Sequence, residues 1–475
     1  MGALLQSAKA NGQTLPQLRE LAGVVETHYR NNGYANVRVV VPEQEIAGGV
    51  VTFQVVEPKV GTVSVTGNHR YSEAFLRKRL RGVESGAVLR SVDLERSLLL
   101  LNDNPGLNAK ASLQVGATPG TTDVVVSVEE QPKSVTGSTE FNTFGSRYAS
   151  RERIAQSVSF GNVSGSGDSL SLGVVTAPSP SSLLFGQVRY DVPLGSGGTR
   201  LNVYGLAGDY EVGQEFAVLG LEGSGESFGL SVVRPKVKTR TRSLLWEMGV
   251  DLKNSELKLL GQRSSYDKVR TARLGFALNE VLPGKSARNM ASVYLHQGLG
   301  ENLGGMTDGD PFASRSGADN SFSKVVVDLA RVQQSDARSY LIAKLGGQLT
   351  DSPLVAGEQF DIGGADSVRG YPQSEFLGDS GLRASLEWRH SPRVGNYFGW
   401  LRDFQTALFL DYGLIANKSP LPGQPKAESV SGVGIGFRAD LTNGFFLRAD
   451  LGYALSKAPA NGGKLQPYFQ AIRRY

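Results

Sequence analysis

A two-residue hydrophobic period dominates this sequence and continues from Ser134 to Tyr475. Within 184–192, Leu, Val and Tyr occupy even positions, while Gln, Arg and Asp occupy odd positions. The segments 244–252 and 445–455 alternate in the same way. Because successive side chains of a β-strand point to opposite faces, each segment predicts a strand with one apolar face and one polar face.

Two architectures use such strands, the soluble β-sandwich and the membrane-spanning barrel. We count about 16 segments of about ten residues, the length of a tilted bilayer-spanning strand, whereas soluble strands average about 5 to 6 residues. Arg383, Glu387 and Arg389 stand in the middle of one segment, where a water-filled lumen would accommodate their charges. Only helices and closed barrels satisfy all backbone groups in lipid, and no apolar run approaches the about 18 residues of a spanning helix. We therefore predict a transmembrane β-barrel of about 16 antiparallel strands over 134–475.

The first 132 residues follow a different pattern, in which helical and strand segments alternate. Residues 59–132 show the order strand, helix, helix, strand, strand, with helices at 72–81 and 91–102. Residues 1–58 show the latter part of the same order. We expect two small α+β modules, of which the first lacks its opening strand and most of its opening helix, so that the chain begins inside it.

The strand predicted at 37–41 is a candidate edge for the capture of an extended polypeptide. Strand addition at such an edge takes its affinity from main-chain hydrogen bonds. The valines of this segment fit a sheet interior equally well. Both interpretations stay open, and no contact residues are predicted in the two modules.

Composition and short motifs exclude several other classes. The 50 basic and 45 acidic residues give a net charge of +5 and are spread over both parts of the chain, so no nucleic-acid surface is expected. The sequence contains no cysteine, which excludes disulfides and thiolate metal sites. The four histidines lack metal-binding spacing, no nucleotide-binding P-loop is present, and Gly225-Glu-Ser-Phe-Gly229 lacks the preceding hydrophobic strand of a nucleophile elbow. We predict no enzyme activity, cofactor or metal site.

One stretch at 351–380 interrupts the alternation and is rich in glycine and aromatic residues. A long connection without a period of its own is usually functional or disordered. It contains the tetrad Val368-Arg-Gly-Tyr371, and Phe409-Leu-Asp-Tyr-Gly413 follows downstream. In these motifs the chain resembles the two-partner-secretion transporters, the TpsB family of the haemolysin and filamentous-haemagglutinin secretion and activation type. In that family POTRA domains precede a 16-stranded barrel, and one loop folds back into the lumen.

The resemblance implies three domains and one luminal site. Residues 1–58 would be the C-terminal part of a first POTRA domain, 59–132 a second POTRA domain, and 134–475 the barrel with its inward-folded loop at 351–380. The lumen-facing arginine would be Arg369. The implied lock of this loop comprises Val368, Arg369, Gly370, Tyr371, Glu387, Phe409, Asp411 and Gly413. Independently of the resemblance, the alternation of side chains between the two faces of a strand puts Glu387 and Asp411 on the polar faces of their strands.

These residue types suit a charged lock. A guanidinium in a constricted lumen is stable only if carboxylates accept its hydrogen bonds. Gly370 would permit a backbone turn that is closed to other residues, and Tyr371 would pack against the inner wall. The alternative interpretation places Arg369 on a solvated loop tip outside the barrel.

The resemblance further implies a bacterial outer-membrane transporter with periplasmic POTRA domains, which secretes one large adhesin-like or haemolysin-like exoprotein without ATP. The expected partners are this exoprotein, the lipid and lipopolysaccharide of the outer membrane, and the barrel-assembly machinery that inserts the transporter. One alternative is an insertase for other barrel proteins, which would be expected to carry more POTRA domains. The other is a passive diffusion porin, which leaves the helical modules unexplained.

Overall fold

The computed structural model describes residues 13–34, 37–131, 134–178, 182–392, 399–420, 422–460 and 463–475. In these residues, two small units of helices and sheets precede a closed barrel. Over the same ranges, no helix combines the length and the apolar character needed to cross a bilayer.

The first unit consists of helix α1 (Leu15–Asn31) and a two-stranded antiparallel sheet of β1 (Arg38–Val40) and β2 (Gln54–Val56). Val37 and Val39 are buried against Ala22 of α1. The predicted strand at 37–41 thus contributes two valines to a small core, and only three of its residues are strand. The N–H of Val39 donates to a carboxylate oxygen of Glu26 at 2.9 Å rather than to another strand.

The second unit has the predicted order of elements. Its elements are β3 (Lys59–Thr66), α2 (Glu73–Arg77), α3 (Ser91–Asn102), β4 (Leu107–Val115) and β5 (Thr121–Glu130). The sheet order is β3-β5-β4, with β3 parallel to β5. Helix α2 is shorter than the predicted 72–81 because the N–H groups of Arg79 and Leu80 bond three residues back, to Leu76 and Arg77, which tightens the chain into turns.

The barrel is closed by 16 antiparallel strands, as the alternation predicted. The last strand pairs with the first through Gln470↔Asn142 to Arg474↔Ser138. The barrel strands are β6 (Val135–Asn142), β7 (Arg153–Gly161), β8 (Ser169–Thr176), β9 (Leu183–Leu194), β10 (Thr199–Glu211), β11 (Leu221–Lys238), β12 (Arg242–Leu259), β13 (Gln262–Leu282), β14 (Ala287–Gly298), β15 (Ser323–Gln334), β16 (Ser339–Thr350), β19 (Ser380–His390), β20 (Leu401–Ala416), β21 (Ala427–Leu441), β22 (Phe445–Ala454) and β23 (Leu465–Arg474). Ser227 of the Gly-x-Ser-x-Gly segment lies inside β11 and not at a strand-to-helix turn.

The two faces of the barrel wall differ as the period requires. On β19, Leu386 and Trp388 are 46% and 40% exposed on the outside, whereas Glu387 between them is 6% exposed. On β20, Leu408 and Leu410 are exposed, and the neighbouring Asp411 is buried. The apolar side chains therefore form the outer surface, and the charged side chains face the lumen.

The second N-terminal unit contacts the turns at one end of the barrel. Arg70 donates to the carbonyl of Gly161 at the end of β7, at 3.4 Å. Asp103, next to α3, accepts from Lys238 at the end of β11, at 2.7 Å. The connection between β16 and β19 leaves the opposite end, because neighbouring strands are antiparallel. Residues 351–379 therefore enter the lumen from the end opposite the one that contacts the second N-terminal unit.

Candidate functional site: a charged lock in the barrel lumen

The connection 351–379 folds into a short hairpin of β17 (Phe360–Ile362) and β18 (Phe376–Gly378). We call residues 351–379 the luminal loop and residues 363–375 its tip. Ser380, which the sequence placed in the loop, is the first residue of β19. The hairpin carries the tip, and with it the tetrad 368–371, against the inner wall of the barrel.

Arg369 lies inside the barrel and is 4% exposed. Its Nε and Nη2 atoms donate to the two carboxylate oxygens of Asp411 at 2.7 and 3.0 Å. Its Nη1 atom donates to Glu387 at 2.6 Å, and its backbone N–H donates to Asp411 at 3.1 Å. The guanidinium thus binds carboxylates on two barrel strands, β20 and β19, instead of lying on a solvated loop tip.

Each residue of the Phe409-x-Asp-x-Gly413 motif contacts the tip in a different way. The ring of Phe409 lies under the guanidinium of Arg369, with its centre 3.4 Å from Cζ. Asp411 supplies the paired carboxylate. At Gly413, a Cβ atom would lie 2.8 Å from Cγ2 of Val368, so glycine gives this apolar residue the space to pack against β20.

The rest of the tetrad fixes the backbone and the aromatic end of the tip. Gly370 has a φ of 108°, and a Cβ there would lie 2.7 Å from the backbone nitrogen of Ala454. Both the conformation and the space therefore require glycine. Tyr371 is fully buried, and its hydroxyl donates to the carbonyl of Lys457 at 3.0 Å. The structure thus brings all eight predicted site residues together.

Sequence reasoning missed four residues that complete the site. Asp450 on β22 lies 3.8 Å from Arg369 and accepts from Arg438 at 2.6 Å. The hydroxyl of Tyr468 on β23 accepts from the N–H of Gly370 at 3.0 Å and donates to the carbonyl of Tyr371 at 2.6 Å. At Gly432 on β21, a Cβ would collide with the carbonyl oxygen of Arg369. Strand parity would have put Asp450, Arg438 and Tyr468 on the luminal face, but parity alone does not show which luminal residues meet the loop.

The charges around the tip are balanced. Arg369, Arg389, Arg438 and Arg448 are paired with Glu387, Asp411, Asp450 and Asp366. Such a network holds a segment in place and offers no nucleophile poised against a base. Within the described ranges, no group of three or more His, Asp or Glu side chains is arranged to hold a metal ion.

Comparison with known proteins assigns the chain to a family. The family model described as haemolysin secretion/activation protein ShlB/FhaC/HecB matches residues 120–439. The chain belongs to this family. A model of the ShlB-type POTRA domain matches residues 2–58 of this ShlB-family chain.

Two curated relatives of the ShlB-family chain are themselves named as transporters. The heme/hemopexin transporter protein HuxB of Haemophilus influenzae is 23% identical over 410 residues, which cover 84% of this chain and 70% of HuxB. The outer membrane transporter CdiB of Dickeya dadantii is 23% identical over 418 residues, which cover 80% of this chain and 68% of that protein.

Solved structures share the fold. CdiB from Escherichia coli superposes with a TM-score of 0.81 at 17% identity and covers 98% of this chain and 85% of its own. BamA from Haemophilus ducreyi lacking POTRA domains 1–3 superposes with a TM-score of 0.61 at 15% identity, covering 98% and 94%. The predicted architecture of POTRA domains and a 16-stranded barrel is confirmed.

Family membership fixes the function class and the orientation. This ShlB-family protein is an outer-membrane transporter that secretes a partner exoprotein. Its POTRA domains are periplasmic. The barrel end that contacts the second N-terminal unit is therefore the periplasmic end, and the luminal loop enters from the extracellular end.

Proposed function

We propose that this transporter secretes one large adhesin-like or haemolysin-like exoprotein, and that the luminal loop closes the barrel until the exoprotein passes. The observation that carries the proposal is the buried contact of Arg369 with Asp411 and Glu387. These carboxylates belong to the barrel wall, so the contact holds the tip of an otherwise separate segment in the lumen. The eight predicted site residues, from the tetrad 368–371 and the barrel strands β19 and β20, act together as the lock.

Opening this lock has a cost, which gives the closed state its stability. Separating Arg369 from its carboxylates leaves buried charges without partners, and such a loss costs about 3–5 kcal/mol. An extended polypeptide in the lumen can offset the cost by presenting its own hydrogen-bonding groups to the same side chains. We infer that passage of the exoprotein displaces the tip and that the tip returns afterwards.

We propose domain limits of 1–58, 59–132 and 134–475, with capture of the exoprotein by the second POTRA domain. Strand β4 lies at the edge of the three-stranded sheet, where β5 is its only neighbouring strand in the described part of the chain. Leu113 and Val115 on this edge are exposed, the latter by 94%. An extended segment added to β4 would pair its main chain there and cover these apolar side chains.

Folding of the exoprotein outside the cell supplies the direction of transport in this proposal, because the sequence has no P-loop for nucleotide hydrolysis. We further propose that lipid and lipopolysaccharide contact the apolar outer face, and that the barrel-assembly machinery inserts the protein. The outward leucines of β19 and β20 support the lipid contact.

A domain deletion tests the transport proposal. The transporter is expressed with the exoprotein of the neighbouring reading frame, with and without residues 1–132. We expect the deletion to abolish release of the exoprotein into the medium while the barrel still shows the gel mobility of a folded outer-membrane protein. Unchanged release would contradict the proposal. Loss of other outer-membrane barrels in the deleted strain would favour the insertase instead.

A further inference from the structure

The luminal loop is attached to the barrel at a second point, which lies outside its tip. Glu358 lies just before β17, at the base of the loop, and is 4% exposed. Its two carboxylate oxygens are each 2.7 Å from a lysine Nζ, one from Lys253 on β12 and the other from Lys324 on β15. We call this group of three side chains the base clamp.

The backbone of Glu358 takes part in the same contact. Its carbonyl oxygen accepts from Nζ of Lys324 and from the side-chain amide of Gln348, both at 3.0 Å. The same amide donates to the carbonyl of Asp379 at 2.9 Å. Gln348 lies on β16, so one barrel residue joins the two ends of the loop, the residues just before β17 and just after β18.

A second buried ion pair extends this attachment toward the extracellular surface. Asp379 is fully buried and paired with Arg315 of the β14–β15 connection. Its other oxygen accepts from the backbone N–H of Lys418 in the β20–β21 connection at 2.7 Å. Leu354 and Val355 of the loop are buried with Phe322 of the β14–β15 connection. The base is thus covered by two other extracellular connections.

Among the described residues, the side chains that bind Glu358 at the base differ from those that bind Arg369 at the tip. Arg369 is bound by Asp411, Glu387 and Ser385, whereas Glu358 is bound by Lys253 and Lys324. The hairpin of β17 and β18 lies between the two groups. Because none of these described side chains takes part in both ion-pair groups, breaking one group leaves the other with its charged partners.

We propose that Glu358 is a positioning residue that anchors the base of the luminal loop independently of Arg369. The loop then opens by release of its tip alone, while the base stays on the barrel wall and the hairpin acts as the arm between them. This inference rests on the proposed closure of the lumen by the loop. It restricts the movement during secretion to a swing of the tip and excludes withdrawal of the whole loop.

Pulsed electron-electron double resonance between two nitroxide labels measures whether the base stays in place. The chain has no cysteine, so Gly284→Cys and Gly357→Cys give two unique labelling sites. A Cβ at either glycine meets no atom within 4 Å. Gly284 lies in a periplasmic turn of the wall, and Gly357 is next to Glu358. The labelled full chain in detergent or lipid serves as the reference for four further variants.

We expect Glu358→Gln to broaden the label distance distribution and shift its centre, because two lysines lose their carboxylate. Lys324→Gln changes the barrel side of the same contact. It should broaden the distance distribution less than Glu358→Gln does, since Lys253 still holds Glu358. Arg369→Ala should leave the distribution narrow. Glu247→Gln is the matched control, because Glu247 is a luminal carboxylate on β12 that pairs with Arg273 at 2.9 Å on the wall itself.

Two results would overturn the inference. A narrow, unshifted distribution in Glu358→Gln would mean that the base clamp does not hold the loop, and equal broadening by Arg369→Ala would mean that the two attachments form one unit. Gel mobility of unheated samples identifies any variant that has not folded. If Glu358→Gln does not fold, the distance distribution of Lys324→Gln tests the base clamp in its place. Failure of the closure proposal is seen separately, as an Arg369→Ala pore whose conductance equals that of the unchanged protein.

Discussion

The guanidinium of Arg369 lies over the ring of Phe409, with Cζ 3.4 Å from the ring centre. The face of the guanidinium is covered by an aromatic side chain, while its edge donates to Asp411 and Glu387. The two kinds of contact do not compete, because hydrogen bonds lie in the guanidinium plane and cation–π contact lies perpendicular to it. This relationship explains why an aromatic residue stands two positions before Asp411 on the same luminal face.

Replacing Phe409 with leucine should weaken the lock without removing a charge. We expect a loss of about 0.5–2 kcal/mol from the cation–π contact, measured as a lower free energy of unfolding in urea from lipid vesicles. Phe437→Leu on β21 is the control, because that ring is on the exposed outer face. A Phe409→Leu variant no less stable than Phe437→Leu would contradict the stacking role.

Replacing Arg369 with lysine should also destabilise the loop, although the charge is kept. Lysine cannot form the two parallel hydrogen bonds to Asp411, and one lost hydrogen bond to a charged group costs about 1.5–3 kcal/mol. The control is Arg383→Lys, since Arg383 and Asp328 are 3.4 Å apart and partly open to water, and a solvent-accessible pair contributes about 0–1 kcal/mol. Equal effects of the two substitutions on urea unfolding would show that the bidentate geometry does not matter.

Adding one methyl group at Gly413 should push the tip away from β20. A Cβ there would lie 2.8 Å from Val368 and 3.0 Å from Cδ1 of Ile362, and such overpacking costs about 1–3 kcal/mol. Val368→Ala removes the first of these collisions. The double variant Gly413→Ala/Val368→Ala should therefore lose less unfolding free energy than the two single variants lose together. If the losses are strictly additive in the same unfolding assay, the proposed contact is refuted.

The contact of the second N-terminal unit with the barrel should depend on charge. Asp103 and Lys238 are 2.7 Å apart, and Arg240 donates its backbone N–H to Glu95 of α3 at 3.0 Å. Asp103→Lys should raise hydrogen exchange in α3, because two cations then face each other across the contact. The swapped variant Asp103→Lys/Lys238→Asp should return hydrogen exchange in α3 to the level of the unchanged protein. Exchange that stays high in the swapped variant would mean that this ion pair does not hold the domain.

Much of the barrel was predictable from the sequence, because lipid on one side and water on the other impose the same period on every strand. Parity therefore placed Glu387 and Asp411 correctly on the luminal face. In the N-terminal units, local patterns gave the order of elements but not their limits. Helix α2 ends early at Arg77, since the following residues form turns within the core of the second unit.

The partners of the luminal loop were less predictable. Glu358 meets Lys253 and Lys324, which are far from it in the sequence and lie on two different strands. The register of the barrel and the path of the loop together create this contact, and neither follows from a two-residue period. The tetrad 368–371 was found only because the family motif marks it. Tyr468 and Asp450 have no such mark.

The conductance of the purified protein in a planar lipid bilayer is the most direct test of the loop as a closure of the lumen. We predict a small, infrequently open conductance for the unchanged chain and a larger, persistently open one for Arg369→Ala, with Arg383→Ala resembling the unchanged chain. Equal conductance in the unchanged chain and Arg369→Ala, whether small or large, would contradict the account.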